Sequence, residues 1–222
     1  MCGRFALIEP VEALVDYFDL PSAPEVKARY NIAPSQNIWG IRQNSKDGLR
    51  EAIRFRWGLI PSWAKDSSLG LKMINARSET VAEKPAFRSA FKRRRCLIPA
   101  SGFYEWKKTK EGKRPYFIYP SAGGIFAFGG IWESWHDPED GDLESCSILT
   151  TSANSTIAEV HDRMPVVLNP DHFETWLNPK IQMESALQPL LRPAPESWFQ
   201  MRPVSTRVNN AKHEGPDCLS EE

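Results

Sequence analysis

The chain has 222 residues, 41% of them hydrophobic, enough to bury a substantial core in one large domain or two small ones. Its 28 lysines and arginines balance 28 aspartates and glutamates, which argues against the strong overall basic charge of many nucleic-acid binders and leaves any such contact to local patches. No apolar run approaches the roughly 18 residues needed to cross a bilayer, and MCGRFALIEP lacks the basic segment and long apolar stretch of a signal peptide, so a cytoplasmic location with no membrane association is expected.

Along the chain, a helix is predicted from Val11 to Phe18 behind Pro10, and another in FRSAFKRRR from Phe87. β-like runs follow in RCLIPASGFYEW (95–106), PYFIYP (115–120), GIFAFGGIWESW (124–135) and SCSILTTS (145–152). The segment TIAEVH can begin a helix capped by Asn154 or Ser155, MPVVLN (164–169) reads as a strand, and DHFETWL (171–177) as a helix behind Pro170. There is no regular β-α-β repeat, no internal repeat and no low-complexity linker before the polar tail 215–222. This predicts an α+β fold: a single domain over 1–222 with a curled, mainly antiparallel, barrel-like sheet flanked by short helices, 216–222 being a flexible tail. The 18 prolines suit the many short connections of a bent sheet better than a doubly wound parallel one.

Cys2, Cys96, Cys146 and Cys218 have no C-x-x-C spacing, so reduced thiols are expected, with no disulfide framework and no metal site. Cys2 follows Met1 directly, and its small side chain suits removal of Met1 during synthesis. An α-amine with a pKa of about 7.7 to 8.0 is roughly one-tenth neutral near pH 7, far more than a lysine at about 10.4, which favours attack on a carbonyl. The neighbouring thiol can add to the resulting imine and close a five-membered thiazolidine, which is far harder to reverse. Position alone leaves the plainer alternative, a small residue at an ordinary terminus.

Four further stretches set polar or titratable residues among apolar and aromatic ones: RYNIAPSQ (29–36), MINARSET (73–80), SGFYEW (101–106) and EVHDRMP (159–165). Together with MCGRF at the start, WGLIPSWAKD (57–66) and RPVSTRVNNAKHEG (202–215), they resemble the SOS-response-associated peptidase (SRAP) family of abasic-site processing proteins over nearly the whole chain. The resemblance implies covalent capture of abasic sites in single-stranded DNA through a thiazolidine between Cys2 and the C1′ aldehyde of the ring-opened deoxyribose. It implies that Asn75, Glu105 and His161 complete the site, with no cofactor. The chemistry of each suggests a role: His161 as a proton donor to the sugar ring oxygen or departing water, Glu105 as a proton shuttle if burial raises its pKa, and Asn75 as an amide holding the amine or a sugar hydroxyl. The plain alternatives are a core or surface histidine, a solvent-facing strand glutamate and a turn or capping asparagine.

Arg4, Arg77 and Arg163 each sit two residues from one of these candidates, where an extended segment would turn both to the same side, so they are expected to bracket the site and bind flanking phosphates. Pro34, Trp57 and Trp63 are candidate surfaces for stacking unpaired bases, against core packing as the alternative for a tryptophan. By resemblance Thr150 also lies near the DNA. The basic runs at 92–95 and 107–114 could extend the strand's path but read first as solvated faces. The expected partner is single-stranded DNA containing abasic sites, bound by a monomer with DNA-lyase-like chemistry. Two other readings are an N-terminal-nucleophile amidohydrolase or autoproteolytic thiol peptidase, and a noncovalent single-strand binding module in which Cys2 is incidental.

Overall fold

The computed structural model describes residues 2–137, 139 and 141–221. Met1, whose removal the cysteine chemistry requires, and Glu222 at the end of the expected tail lie outside the described residues. In chain order the strands are β1 (Phe5–Leu7), β2 (Arg29–Ile32), β3 (Asn37–Gln43), β4 (Arg50–Trp57), β5 (Asn75–Arg77) and β6 (Arg95–Ala100). They continue as β7 (Gly102–Thr109), β8 (Gly112–Pro120), β9 (Phe126–Asp137), β10 (Gly141–Ser152), β11 (Arg163–Pro165) and β12 (Phe199–Pro203). The helices are α1 (Val11–Phe18), α2 (Arg88–Arg93), α3 (Ser155–Ala158), α4 (Phe173–Leu177) and α5 (Glu184–Leu187).

Five strands close on themselves. β4 pairs with β3, β3 with β6, β6 with β9 and β9 with β10, all antiparallel, and β10 returns to β4 in a parallel pairing of Ser145 with Arg56 and Cys146 with Trp57. Closure removes the open sheet edges that would otherwise need covering. Every residue of β6 is buried, so RCLIPA reads as a continuous run rather than an in-out alternation. The second sheet, in the order β12-β8-β7-β1-β2, is wholly antiparallel. The expected α+β fold with a curled, barrel-like sheet is the one present.

The run 95–106, read as one strand, is two. The chain leaves the barrel at Ser101, whose N–H donates to the Ala6 carbonyl at 2.8 Å while its Oγ accepts from the N–H groups of Ile8 and Glu9. The helix behind Pro10 spans Val11–Phe18, burying Leu14 and Phe18 one turn apart and ending at Asp19 in the left-handed region. Asn154 caps α3, its Oδ1 accepting from the Ile157 N–H. The tail differs from expectation: Pro216–Leu219 forms a 3-10 turn and Cys218 is buried against Ala6, Tyr104, Phe117, Val204 and Val208. Two apolar side chains, Cys218 buried in that second cluster and Leu219 packed against it, pin a segment that is otherwise largely polar.

Arg95, read as part of a solvated basic run, is 2% exposed. Its guanidinium donates to five carbonyls: Phe91 and Lys92 at the end of α2, Trp176 in α4, and Asn178 and Ile181 beyond it, at 2.5 to 2.9 Å. The C-terminal carbonyls of α2 supply the negative end of a helix dipole, and burial pushes the Arg95 pKa down to about 10. Arg95→Met should strand several of these acceptors and destabilise the fold by about 3 kcal/mol or more, read as a lowered urea midpoint. A midpoint within error of the parent's would show that the carbonyls find other partners.

Candidate active site

The site is assembled at the C-terminal end of β10. β5 runs parallel to it on one side, setting Asn75 beside Ile148 and Arg77 beside Thr150, and β11 runs antiparallel on the other, setting Arg163 beside Ser152. Two strands about 90 positions apart in sequence, β5 at 75–77 and β11 at 163–165, thus flank one strand. From the other sheet, β7 presents Glu105, which lines a cavity of ≈ 550 Å³ together with Trp106, Lys108, Lys113, His161 and Asn209.

Cys2 is fully buried, three residues before the start of β1 at Phe5. Burial pushes its thiol far above the ordinary range, and the nearby Glu105 carboxylate adds to the effect. Glu105 is 3% exposed, and burial pushes its carboxyl up to about 7. A carboxyl poised there can both take and give a proton at neutral pH. Asn75 is half-buried, its Nδ2 donating to the Ile74 carbonyl at 3.0 Å, while its Oδ1 is buried without a hydrogen-bond partner among the described residues. That oxygen is a ready acceptor for an amine or hydroxyl.

His161 follows α3 and is half-buried. Its Nδ1 lies 3.0 Å from the Arg163 N–H, which donates to it, so the neutral ring carries its proton on Nε2. Asp162 Oδ1 is also 3.0 Å from Nδ1 and is the acceptor available once the ring is charged. Burial holds the ring's pKa below its ordinary value.

The arginine bracket is only partly as expected. Arg163 forks onto Glu79, Nη1 to Oε1 at 2.5 Å and Nη2 to Oε2 at 2.9 Å, and Nη2 also donates to the Thr150 carbonyl at 2.7 Å. The ion pair with Arg163 holds the Glu79 carboxyl below the usual range. Arg4 Nη1 donates to Asn31 Oδ1 and the Val208 carbonyl, both at 2.7 Å, and its guanidinium lies 5.7 Å from the Trp106 ring centre. Arg77 is exposed. Thr150 is 1% exposed and holds Arg163 from beneath.

Trp57 offers no stacking surface, which corrects the expectation: it is fully buried, edge-on to Phe5 at 5.2 Å, with its indole N–H donating to the Ile74 carbonyl. Trp63 is 60% exposed. The loop carrying it is fixed by close contact of Gly58 and Gly70, where a Cβ on Gly58 would lie 2.5 Å from the Gly70 oxygen. Pro34 is half-buried in a turn held by the Ser35 N–H on the Trp57 carbonyl.

The residues missed in sequence are Trp106, whose Nε1 donates to Asn209 Oδ1 at 2.6 Å across the cavity wall, and Glu79. Both lie inside quoted motifs, SGFYEW and MINARSET, but neither has a spacing that marks it. Among the described residues one group could offer metal ligands, His213, Asp217 and Cys218, within 4.8 Å of one another. Its Asp217 carboxylate already pairs with Arg207 and His213, and the group lies outside the cavity's lining.

The family model of the SOS response associated peptidase (SRAP) matches residues 1–211. "Abasic site processing protein YoaM" of Bacillus subtilis (strain 168) is 43% identical over 227 residues, covering 100% of this chain and 99% of that protein. "Abasic site processing protein YedK" of Escherichia coli (strain K12) is 31% identical, covering 99% of each. A crystal structure of a protein from Bacteroides thetaiotaomicron superposes with a TM-score of 0.90 at 25% identity, covering 100% of both chains.

The raised Glu105 pKa has a consequence for stability. The folded state holds this proton up to about 7, while the unfolded chain releases it near 4.5, so stability falls as pH rises through that window. Glu105→Gln, which cannot ionise, should therefore match the parent's stability below pH 4.5 and exceed it above pH 7, by on the order of 3 kcal/mol. Urea titrations at both pH values check this, and a gap of the same size at each would assign the difference to packing instead.

Proposed function

We propose that this chain, which belongs to the SOS response associated peptidase (SRAP) family, captures abasic sites in single-stranded DNA. The product is a thiazolidine between Cys2, exposed by loss of Met1, and the C1′ aldehyde of the ring-opened deoxyribose, and it shields the lesion during repair. The observation that carries this reading is a buried thiol beside a buried carboxyl whose pKa sits near neutrality. The names of the similar proteins, which describe abasic-site processing, support the substrate.

The ring opens as the charged His161 ring donates its Nε2 proton to the sugar ring oxygen, leaving C1′ as the protonated aldehyde. The Cys2 α-amine attacks C1′, its displaced proton passes to Glu105, and Glu105 gives that proton to the C1′ hydroxyl as water leaves the carbinolamine, which frees the carboxylate for the next step. The protonated imine then accepts the thiol sulfur, forming the carbon–sulfur bond while the C=N π pair returns to nitrogen. Glu105 removes the thiol proton. Asn75 Oδ1 accepts from the amine and holds its lone pair on the carbonyl. Ring closure consumes the iminium that would otherwise promote strand cleavage by β-elimination, so intact strand dominates over nicked strand.

Burial argues against a thiol peptidase as the main activity. Attack on an amide needs a thiolate at the outset, and burial and Glu105 both disfavour it. Capture begins at the amine and calls on the thiol only against a charged, strongly electrophilic iminium.

A denaturing gel with abasic single-stranded DNA, intact single-stranded DNA and a generic amide separates the readings. A heat-stable shift should appear with the abasic strand alone and vanish for Cys2→Ala, with intact mass showing the competent protein one methionine short. Glu105→Gln should slow adduct formation by about 100-fold. An adduct formed by the Cys2→Ala protein would overturn the nucleophile.

A further inference from the structure

We propose that Lys108 and Lys113 form a phosphate clamp on the rim of the Glu105 cavity, gripping the phosphodiester beside the captured sugar. The assignment rests on the capture reading and names the cations that hold its substrate.

The β7–β8 register sets Lys108 directly opposite Lys113, and Lys107 opposite Arg114. Facing side chains of an antiparallel pair have Cβ atoms about 4.5 to 5.5 Å apart, and like charges there destabilise the pair. Strand alternation turns Lys108 to the same side as Trp106, and both lysines line the cavity that also holds Glu105 and His161. Both are exposed, and among the described residues no carboxylate pairs with either. Two facing ammonium groups over a cavity, with no carboxylate between them, are a site for a bridging anion.

The neighbouring cations are already engaged. Arg163 gives both terminal nitrogens to Glu79, and Arg4 gives Nη1 to Asn31 and Val208. Lys108 lies three residues beyond Glu105, about 10 Å along the strand, and both line the same cavity, so a phosphate next to a sugar seated at Glu105 is within reach of the hairpin rim. Lys108 is also close enough to contribute, after burial, to the lowered His161 pKa, which puts its ammonium within electrostatic range of the reacting groups.

The test uses the full chain and a fluorescent single-stranded oligonucleotide carrying a tetrahydrofuran abasic analogue, which lacks the aldehyde and reports noncovalent affinity. In the Lys108→Gln/Lys113→Gln protein, the slope of log affinity on log salt should fall by about 1.4, and Kd should rise about 20-fold at about 0.1 M salt. On a true abasic strand the loss should sit in the half-saturating DNA concentration rather than in the rate at saturation. Lys113→Arg, which keeps the charge, should hold the parent's affinity where Lys113→Gln loses it. Thermal melting without DNA should show the double variant at least as stable as the parent, since a repulsive pair has gone. Lys107→Gln, at a lysine that does not line the cavity, is the charge control and should leave the slope within half of one unit of the parent's, as roughly expected for a charge that contacts no phosphate.

An unchanged salt slope and Kd in the double variant, or an equal loss from Lys107→Gln, overturns the clamp. A parent protein that binds the oligonucleotide but never cross-links a true abasic strand overturns the capture reading instead, and the salt slopes still decide the lysines.

Discussion

The site depends on a chain terminus being held as firmly as a core strand. Terminal residues ordinarily fray unless tied down. Here β1 has three residues yet is paired on both sides, Phe5 with Ile32 in β2 and with Phe103 in β7. The Tyr104 N–H bonds the Arg4 carbonyl at 2.9 Å and extends that pairing toward Cys2. The Phe5 ring is locked edge-on to Trp57 and Phe128, so the second sheet grips the barrel through it. Gly102, opposite Ala6, admits no side chain: a Cβ would lie 2.3 Å from Phe117 and 2.7 Å from the Ile118 oxygen. Close approach at that position lets Phe117 pack over the pair and keeps β1 in register.

Burial of that terminus sets the electrostatics of everything around it. Desolvation keeps the Cys2 thiol protonated and lifts Glu105 to about 7, so the two groups can coexist as neutral partners rather than as repelling anions. Asn75 Oδ1 is likewise buried, without a partner among the described residues, at a cost of about 1 to 3 kcal/mol. A substrate that supplies a donor to this oxygen recovers that energy in the bound state. Under the proposed capture the direction of proton flow follows: a neutral amine acts first, a neutral thiol second, and a carboxyl near its own pKa accepts from each in turn.

Much of this was legible in sequence because the residues come in blocks. The helix after Pro10, the cap at Asn154 and the strand runs at 115–120 and 145–152 all lie within elements that form, since each carries its own local signal. The break at Ser101 was not legible, because RCLIPA and GFYEW are both apolar and the change of sheet is made by a serine that hydrogen-bonds residues far away in sequence. β2, β3, β4 and β5 were likewise unread, since charged residues interrupt REAIRFRW and its pairing becomes apparent only against NIWGIRQ. For the site, motif position identified Glu105 and His161 as cavity neighbours. It overvalued Trp57, because a tryptophan has the same letter whether it faces a strand of DNA or packs edge-on to Phe5.

The arginines show most clearly where spacing stops being informative. Strand alternation says which side a guanidinium faces, not what it meets there. Arg163 meets Glu79, and the Thr150 beneath it makes the pair a bracing element for the backbone N–H that fixes the His161 ring. Its charge is thus directed at orientation of the imidazole. A chain with no net charge must then draw the field that attracts a polyanion from groups the fold leaves uncompensated, and the opposed lysines of β7 and β8 are such a pair. Repulsion between them and the displaced pKa of Glu105 are two local departures from the most stable arrangement, and both border on one cavity. Such concentration is the expected mark of function, where stability is given up for a geometry complementary to a ligand. On the capture reading proposed above, each departure also matches a different part of the ligand: a phosphate for the lysines and a proton in transit for the carboxyl.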